Sequence, residues 1–247
     1  VPRYSPMSVV FGASSPLGKA IVTRLAFAGH TVAAVDTVSK ELSAVEEEMK
    51  KVGGKVHAVP LDTDEKTTME KACQTVGGMR GLVFVPPQNA VKGDIVESSL
   101  MDFNTVFAQR LTLPFRIVKA AVPLLKQHNE SSIVLVNSSS AFTPFVDLGL
   151  FSAASSGLLS LSRTLAIDPS VLPVRVNSVV MSTVHSDGSG GVWQDKEAAS
   201  QLATMIPVGR LGTPSDVGSA VEFLLSRRAR YITGEALLLN GGMQLRL

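Results

Sequence analysis

The chain has 247 residues, with 23 Lys and Arg against 21 Asp and Glu and 45% hydrophobic residues, a composition that buries a sizeable core and excludes a disordered, solvated polymer. A net charge of +2 is too small to mark a nucleic-acid or membrane-surface protein by its field. The lone Cys73 can form no disulfide within the chain and no cysteine-rich metal site, which points to a reducing intracellular setting, cytoplasm or mitochondrial matrix.

Pro2 to Pro6 read as a short polar extension without the apolar core or Arg-rich pattern of a targeting segment, as expected of a processed or a trimmed terminus. Beyond it, short apolar runs alternate with amphipathic ones. Strand Met7–Phe11 precedes a helix over Leu17–Ala28, and strand Thr31–Val35 a helix over Lys40–Val52. Strand Lys55–Leu61 leads to helix Glu65–Val76, and strand Gly81–Val85 to one long helix over Leu100–Lys126. Strand Ser132–Val136 is followed by helix Leu150–Asp168, then strand Pro173–Val180, helices Lys196–Met205 and Ser215–Ser226, and strand Ala236–Leu239. The first strands are continuously apolar, as strands covered on both faces are. The pattern predicts one α/β domain of Rossmann type, a doubly wound seven-stranded parallel sheet with helices on both faces. Between Glu130 and Arg163 the only charge is Asp147. The serines there, with Pro144 and Gly149, argue against a membrane span, so this stretch is expected in a core or a subunit interface. Asp187 to Gly191 reads equally as a mobile lid or a solvated connector.

After the first strand, Gly12-Ala13-Ser14-Ser15-Pro16-Leu17-Gly18 opens a helix. Small residues at such a turn let backbone N–H groups approach a pyrophosphate, which the helix dipole favours. Asp36 closes the second strand, where an acid would hydrogen-bond an adenine ribose. Gly12, Ser14, Ser15, Leu17, Gly18 and Asp36 are thus candidates for a dinucleotide site; alternatively Gly12 and Gly18 serve only turn and packing, and Asp36 is a solvated strand end.

In these features the chain resembles the short-chain dehydrogenase/reductase family, whose turn reads Thr-Gly-x-x-x-Gly-x-Gly. The resemblance runs along essentially the whole chain. Asp62, after the third strand, matches the family's adenine-contacting Asp. Ile206 to Pro214, Tyr231 to Glu235 and Asn240 to Met243 look very like β-ketoacyl-carrier-protein reductases. The resemblance implies NAD(P) as cofactor and no metal. Two departures predict reduced or abolished NAD affinity. Pro16 replaces the middle glycine of the turn and lacks an N–H. Phe84-Val85-Pro86-Pro87 replaces the family's Asn-Asn-Ala-Gly and stiffens a loop that normally leaves room for the cofactor.

Family members move hydride between nicotinamide and a carbonyl or alcohol carbon, using Ser, Tyr, Lys and Asn. Tyr donates a proton to the developing alkoxide, Lys lowers its pKa and holds the nicotinamide ribose, and Ser orients the carbonyl. Ser138 in Asn137-Ser138-Ser139-Ser140 matches the Ser. The family spacing and the frame Phe151-Ser152-Ala153-Ala154-Ser155-Ser156-Gly157 then put Phe151 at the Tyr position and Ser155 at the Lys position, and Arg110 falls at the Asn. Tyr4 and Tyr231 are the only tyrosines, and no lysine lies between Lys126 and Lys196. The expectation is a homologue without family catalysis, acting as a structural or regulatory subunit. The alternative is an atypical NAD(P)-dependent oxidoreductase of the 3-oxoacyl or ketone reductase kind, with Ser138, Ser155 or water in place of the phenol.

Other chemistries are disfavoured. Ser138 with His185 and Asp147 lacks a nucleophile elbow, and His30, His57 and His128 have no ligand spacing and read as surface residues. Arg110 is expected to face water, pair with Asp147 or Glu97, or meet an anionic ligand. By the resemblance the chain is a homo- or hetero-oligomer, most simply a tetramer, using Phe151 to Leu161, Val217 to Leu225 and Ala236 to Leu239. Arg227, Arg228 and Arg230 could meet RNA or an acidic partner, or form a solvated turn. No membrane partner is expected.

Overall fold

Continuously apolar strands need cover on both faces, and the chain supplies it. A computed structural model describes residues 6–37, 40–87, 91–182, 184 and 195–246. Strands β1 (Met7–Phe11), β2 (Thr31–Asp36), β3 (Lys55–Pro60), β4 (Gly81–Phe84), β5 (Ser132–Ser138), β6 (Arg175–Met181) and β7 (Ala236–Leu239) form one parallel sheet in the order β3-β2-β1-β4-β5-β6-β7. Helices α1 (Pro16–Phe27), α2 (Lys40–Lys51), α3 (Glu65–Val76), α4 (Leu100–Phe107), α5 (Leu113–Leu125), α6 (Gly149–Ile167), α7 (Lys196–Met205) and α8 (Pro214–Leu225) complete the described elements. The register pairs Val9 with Ala33 and Leu82. Successive side chains alternate between faces, so Val9, Phe11, Leu82 and Ile133 pack with α3, α5 and α6, while Val10, Val83 and Val134 pack with α1, α2 and α8. The expected doubly wound sheet is present, with strand ends within a few residues of those read from the sequence.

The long helix expected over Leu100–Lys126 is interrupted. A π-helical turn, Ala108–Thr112, separates α4 from α5, and its buried residue is Arg110. A wider turn inserts one residue into the helical repeat and rotates the helix beyond it; Pro114, which cannot donate within a helix, sits in the first turn of α5. Strand β6 also starts later than expected, since Pro173 has no N–H to give a ladder.

The low-charge stretch is largely core. Helix α6 is long and apolar enough by length and composition to cross a membrane, yet Leu158 and Leu165 pack on the sheet and Leu150 and Ala154 pack with Val106 of α4. In α8, Val217, Val221 and Leu224 are buried within the chain, while Phe223, Leu225 and the residues of β7 are half-buried. Apolar surface also lies around the start of α4, where Val96, Leu100 and Met101 are each at least three-quarters exposed. Asp187 to Gly191, with His185 and Tyr4, lie outside the described residues.

His30 is not a surface residue: it is 6% exposed, at the base of β2, within 2.8 Å of Ser8 Oγ through Nδ1. His57 and His128 are half-buried. Burial pushes His30 down to about 4, against the attraction of Glu222. Below its ordinary value of 6.5 the unfolded chain therefore takes a proton that the native chain refuses. Stability falls as pH drops from about 6.5 towards 4, by at most about 3 kcal/mol from this group. Urea unfolding between pH 7 and 4.5 should show this loss, and His30→Gln should flatten it; an unchanged slope in the variant contradicts the assignment.

Candidate functional site

Strand order reverses between β1 and β4, and in such sheets ligands enter the crevice at the carboxyl ends of the strands there. The turn after β1, the loop after β4 and the end of β5 meet at this point. Val85 N–H donates to Phe11 O at 3.0 Å, which ties the loop to the turn.

The glycines of the turn are required by the chain itself. Gly12 has φ of +75°, and a Cβ there would stand 2.2 Å from Val85 O. A Cβ on Gly18 would stand 1.9 Å from Gly12 O. Both distances are backbone clashes that no rotamer relieves. Gly18→Ala should therefore destabilise the ligand-free protein by about 1–3 kcal/mol or more, read as a fall in Tm without nucleotide. An unchanged Tm would return the glycine to a purely ligand-binding role.

The first turn of α1 largely satisfies itself. Ser15 Oγ donates to Gly12 O at 2.8 Å and accepts from Gly18 N–H at 3.0 Å, Lys19 N–H donates to Ser15 O at 2.8 Å, and Pro16 has no N–H. Leu17 N–H is the one amide of this turn left open among the described residues, where four are usually available. Asp36, half-exposed at the end of β2, accepts from Ser14 N–H at 2.9 Å and from Thr37 N–H at 2.7 Å. Its remaining lone pairs can still take ribose hydroxyls. Exposed Asp62 accepts from Thr63 N–H through one oxygen and leaves the other free. The adenosine end of a dinucleotide thus fits Asp36, Asp62, Leu17 and the Ser14–Ser15 turn, with fewer phosphate donors than a helix N-terminus can offer.

The residues that the resemblance assigns to the nicotinamide end lie at the end of β5 and on α6. Ser138 ends β5, half-buried; its Oγ accepts from Ser140 N–H at 3.2 Å, and its N–H donates to Asn137 Oδ1 at 2.8 Å. The fully buried Asn137 also donates through Nδ2 to Ser155 O at 2.9 Å, which brackets β5 to α6. Sequence reading passed over Asn137; its signal was a polar residue at the end of an otherwise apolar strand. Ser155 Oγ is buried without a partner. Phe151, one helical turn before Ser155, is buried too.

Arg110 neither faces water nor pairs with the acids expected of it. Asp147 and Glu97 are exposed, Asp147 in a left-handed turn with φ of 64°, and neither reaches it. Arg110 is 2% exposed. Its guanidinium carbon lies 3.9 Å from the centroid of the Phe151 ring, Nη1 donates to Pro87 O at 2.7 Å, and Nε has no partner. Burial lowers its pKa to about 10, so it stays charged at neutral pH. A desolvated cation–π contact and a charge-assisted hydrogen bond together offset roughly 3–5 kcal/mol, comparable with the several kcal/mol that burying a cation costs. Arg110 and Phe151 therefore meet as a cation on an aromatic face, and Ser155 lies one helical turn beyond Phe151 on α6.

Elsewhere the structure separates candidates. Tyr231 is fully exposed, away from this pocket's buried groups. Arg227 pairs with Glu130 at 2.6 Å and Arg228 with Glu222 at 2.8 Å, so within that basic cluster only Arg230 lacks an acid among the described residues. No group of three or more His, Cys, Asp or Glu among the described residues could hold a metal. A cavity of ≈ 190 Å³ at the ends of β6 and β7, lined by Ser182, Val184, Ile206 and Leu239, is smaller than the roughly 300 Å³ at which small-molecule sites begin.

The comparisons agree with this architecture. The family model described as enoyl-(acyl carrier protein) reductase matches residues 12–244. Human dehydrogenase/reductase SDR family member 4 is 29% identical over all of this chain and 90% of its own length. The 3-oxoacyl-[acyl-carrier-protein] reductase of Aquifex aeolicus is 30% identical over 96% of each. A solved short-chain dehydrogenase/reductase from Serratia marcescens superposes with a TM-score of 0.87 at 27% identity, covering 98% of this chain and 99% of the other. Sheet order, turn, tail and full-length matches together make the chain a member of the short-chain dehydrogenase/reductase family, homologous to 3-oxoacyl-carrier-protein reductases and to SDR family member 4.

Proposed function

We propose that this member of an oxidoreductase family is non-catalytic and serves as a structural or regulatory subunit of an oligomer, with weakened or absent NAD(H) binding. The observation that carries the reading is the buried contact of Arg110 with Phe151. It fills the place where the family's proton donor belongs with a ring that has no ionisable hydrogen. The serine position, Ser138, keeps its hydroxyl, but its Oγ already accepts a backbone N–H. Loss of a positioned general acid costs about 10²- to 10⁴-fold, and loss of the ammonium at 155 removes the group that would hold the nicotinamide ribose.

Any nucleotide affinity rests on the adenosine half, with Asp36 favouring a free 2′-hydroxyl over a 2′-phosphate. Calorimetric titration with NADH and with ADP tests this. The two dissociation constants should agree within about threefold, since each tenfold corresponds to about 1.4 kcal/mol and no lysine at 155 is there to hold the nicotinamide ribose. NADH binding more than tenfold tighter than ADP contradicts it, while no heat from either ligand is the limiting case of the same reading.

Exposed Val96, Leu100 and Met101 around the start of α4 support association with a second copy or a related subunit, since exposed apolar surface marks interaction sites. The single cysteine, half-buried Cys73, suits a reducing compartment. The full-length identity to named reductases favours the second reading, an oxidoreductase with an atypical donor, which the turnover measurement at the end of the Discussion separates from the first.

A further inference from the structure

We infer that Arg110 is the cation of the pocket, delivered by the π-turn between α4 and α5, and that it occupies electrostatically the part a lysine at 155 would play towards the ring at 151. This rests on the geometry of three residues and does not depend on whether the protein turns over a substrate.

A π-turn sets one residue off the ordinary helical repeat, and here that residue carries a guanidinium into the interior. No acid among the described residues neutralises it. Its described contacts are the face of Phe151, 3.9 Å from the centroid, and the carbonyl of Pro87. The positive potential is therefore focused on the ring of residue 151 in surroundings of low dielectric, where it is screened least. A hydroxyl carried on the para position of that ring would stand about 5 Å from the guanidinium carbon, inside the roughly 4–6 Å over which an opposite charge favours an ionised group. Burial acts the other way and raises a phenol's pKa. Arg110 decides which of the two wins.

The three substitutions at 110, 151 and 155 are then one rearrangement. A lysine at 155 would sit one helical turn from residue 151 on the same face of α6, and two cations about one ring would repel. With serine there, whose Oγ is small, buried and unpartnered, the space and the potential are left to Arg110. Pro87 takes part as well: its carbonyl accepts the guanidinium's hydrogen bond, which fixes the side chain over the ring and joins the loop after β4 to the wall of the pocket.

The test is the titration of a phenol placed at 151. In Phe151→Tyr, difference absorbance at 295 nm against the wild-type protein isolates the new phenol from Tyr4 and Tyr231. It should titrate at least about one pH unit below an ordinary tyrosine, near 10. Phe151→Tyr/Arg110→Met should titrate above 10, and Phe151→Tyr/Arg110→Lys, which keeps the charge, should stay low. Equal values with Arg110 and with methionine overturn the inference. Should the methionine variant not fold, the comparison passes to Phe151→Tyr alone, where a value at or above 10 overturns it. A merely structural arginine would alter stability in these variants without moving the phenol's pKa. NADH turnover is read in none of them, so failure here leaves the non-catalytic reading standing.

Discussion

Arg110→Asn, Phe151→Tyr and Ser155→Lys made together should raise NADH-dependent reduction of a 3-oxoacyl or diketone substrate by at least about 10²-fold over the wild-type chain, the lower end of what a positioned acid contributes. The three changes add in chemistry but not in structure. Phe151→Tyr supplies a transferable proton on the first turn of α6. Ser155→Lys supplies an ammonium that holds the nicotinamide ribose and stabilises the phenolate. Arg110→Asn removes the guanidinium that would crowd that ammonium. Phe151→Tyr by itself gains an acidified phenol but nothing to hold the ribose, so its recovery should be smaller. Steady-state rates at saturating NADH measure both. A triple variant no faster than the wild type would place the defect elsewhere, in Pro16 and the Pro86–Pro87 loop.

Ser155→Lys alone should be among the most damaging single changes in the protein. It puts a second cation into a fully buried position one turn from the ring that Arg110 already covers, with no acid among the described residues to pair with either. An uncompensated buried charge costs about 3–5 kcal/mol, a large share of the 5–15 kcal/mol that holds a typical domain together. In the Arg110→Asn background the same lysine meets no competing charge, and the loss should shrink by more than half. Urea midpoints of the two single variants and the double measure the coupling directly. Additive losses would show that residues 110 and 155 do not share one pocket.

The fold was legible because its signals are local and redundant. Continuous apolar strands such as Val9–Val10 and Leu82–Val83 can be buried only between two helical layers, and Gly29, Gly53 and Gly77 take positive φ where each helix was expected to stop. The assignment of Ser138, Phe151 and Ser155 to catalytic positions rests on a frame of fixed spacing in the sequence, and the non-catalytic reading proposed above follows from it. What the chain pattern hid was the meeting of residues distant in sequence. Arg110 was expected to seek water or an acid, since a cation normally does. Its actual partner is an aromatic face, met from within a π-turn, and a π-turn has no period of its own within the helical pattern over Leu100–Lys126. His30 was misplaced for the same kind of reason: its hydrogen bond to Ser8 ties the residue just before β2 to β1, a contact between residues distant in sequence. Gly12 and Gly18 show a motif residue answering two demands. Both glycines belong to a nucleotide turn, and both are also forced by the backbone carbonyls of Val85 and Gly12, so their presence says little about whether nucleotide binds.

Whether this pocket can deliver a proton is decided by single-turnover oxidation of NADH. With enzyme in excess over NADH and a 3-oxoacyl substrate in saturating amount, the wild-type chain is predicted to show no loss of absorbance at 340 nm beyond that of Ser138→Ala. A saturable wild-type rate that Ser138→Ala abolishes would contradict the account, because a hydride would then be leaving nicotinamide in a pocket whose ring carries no acid.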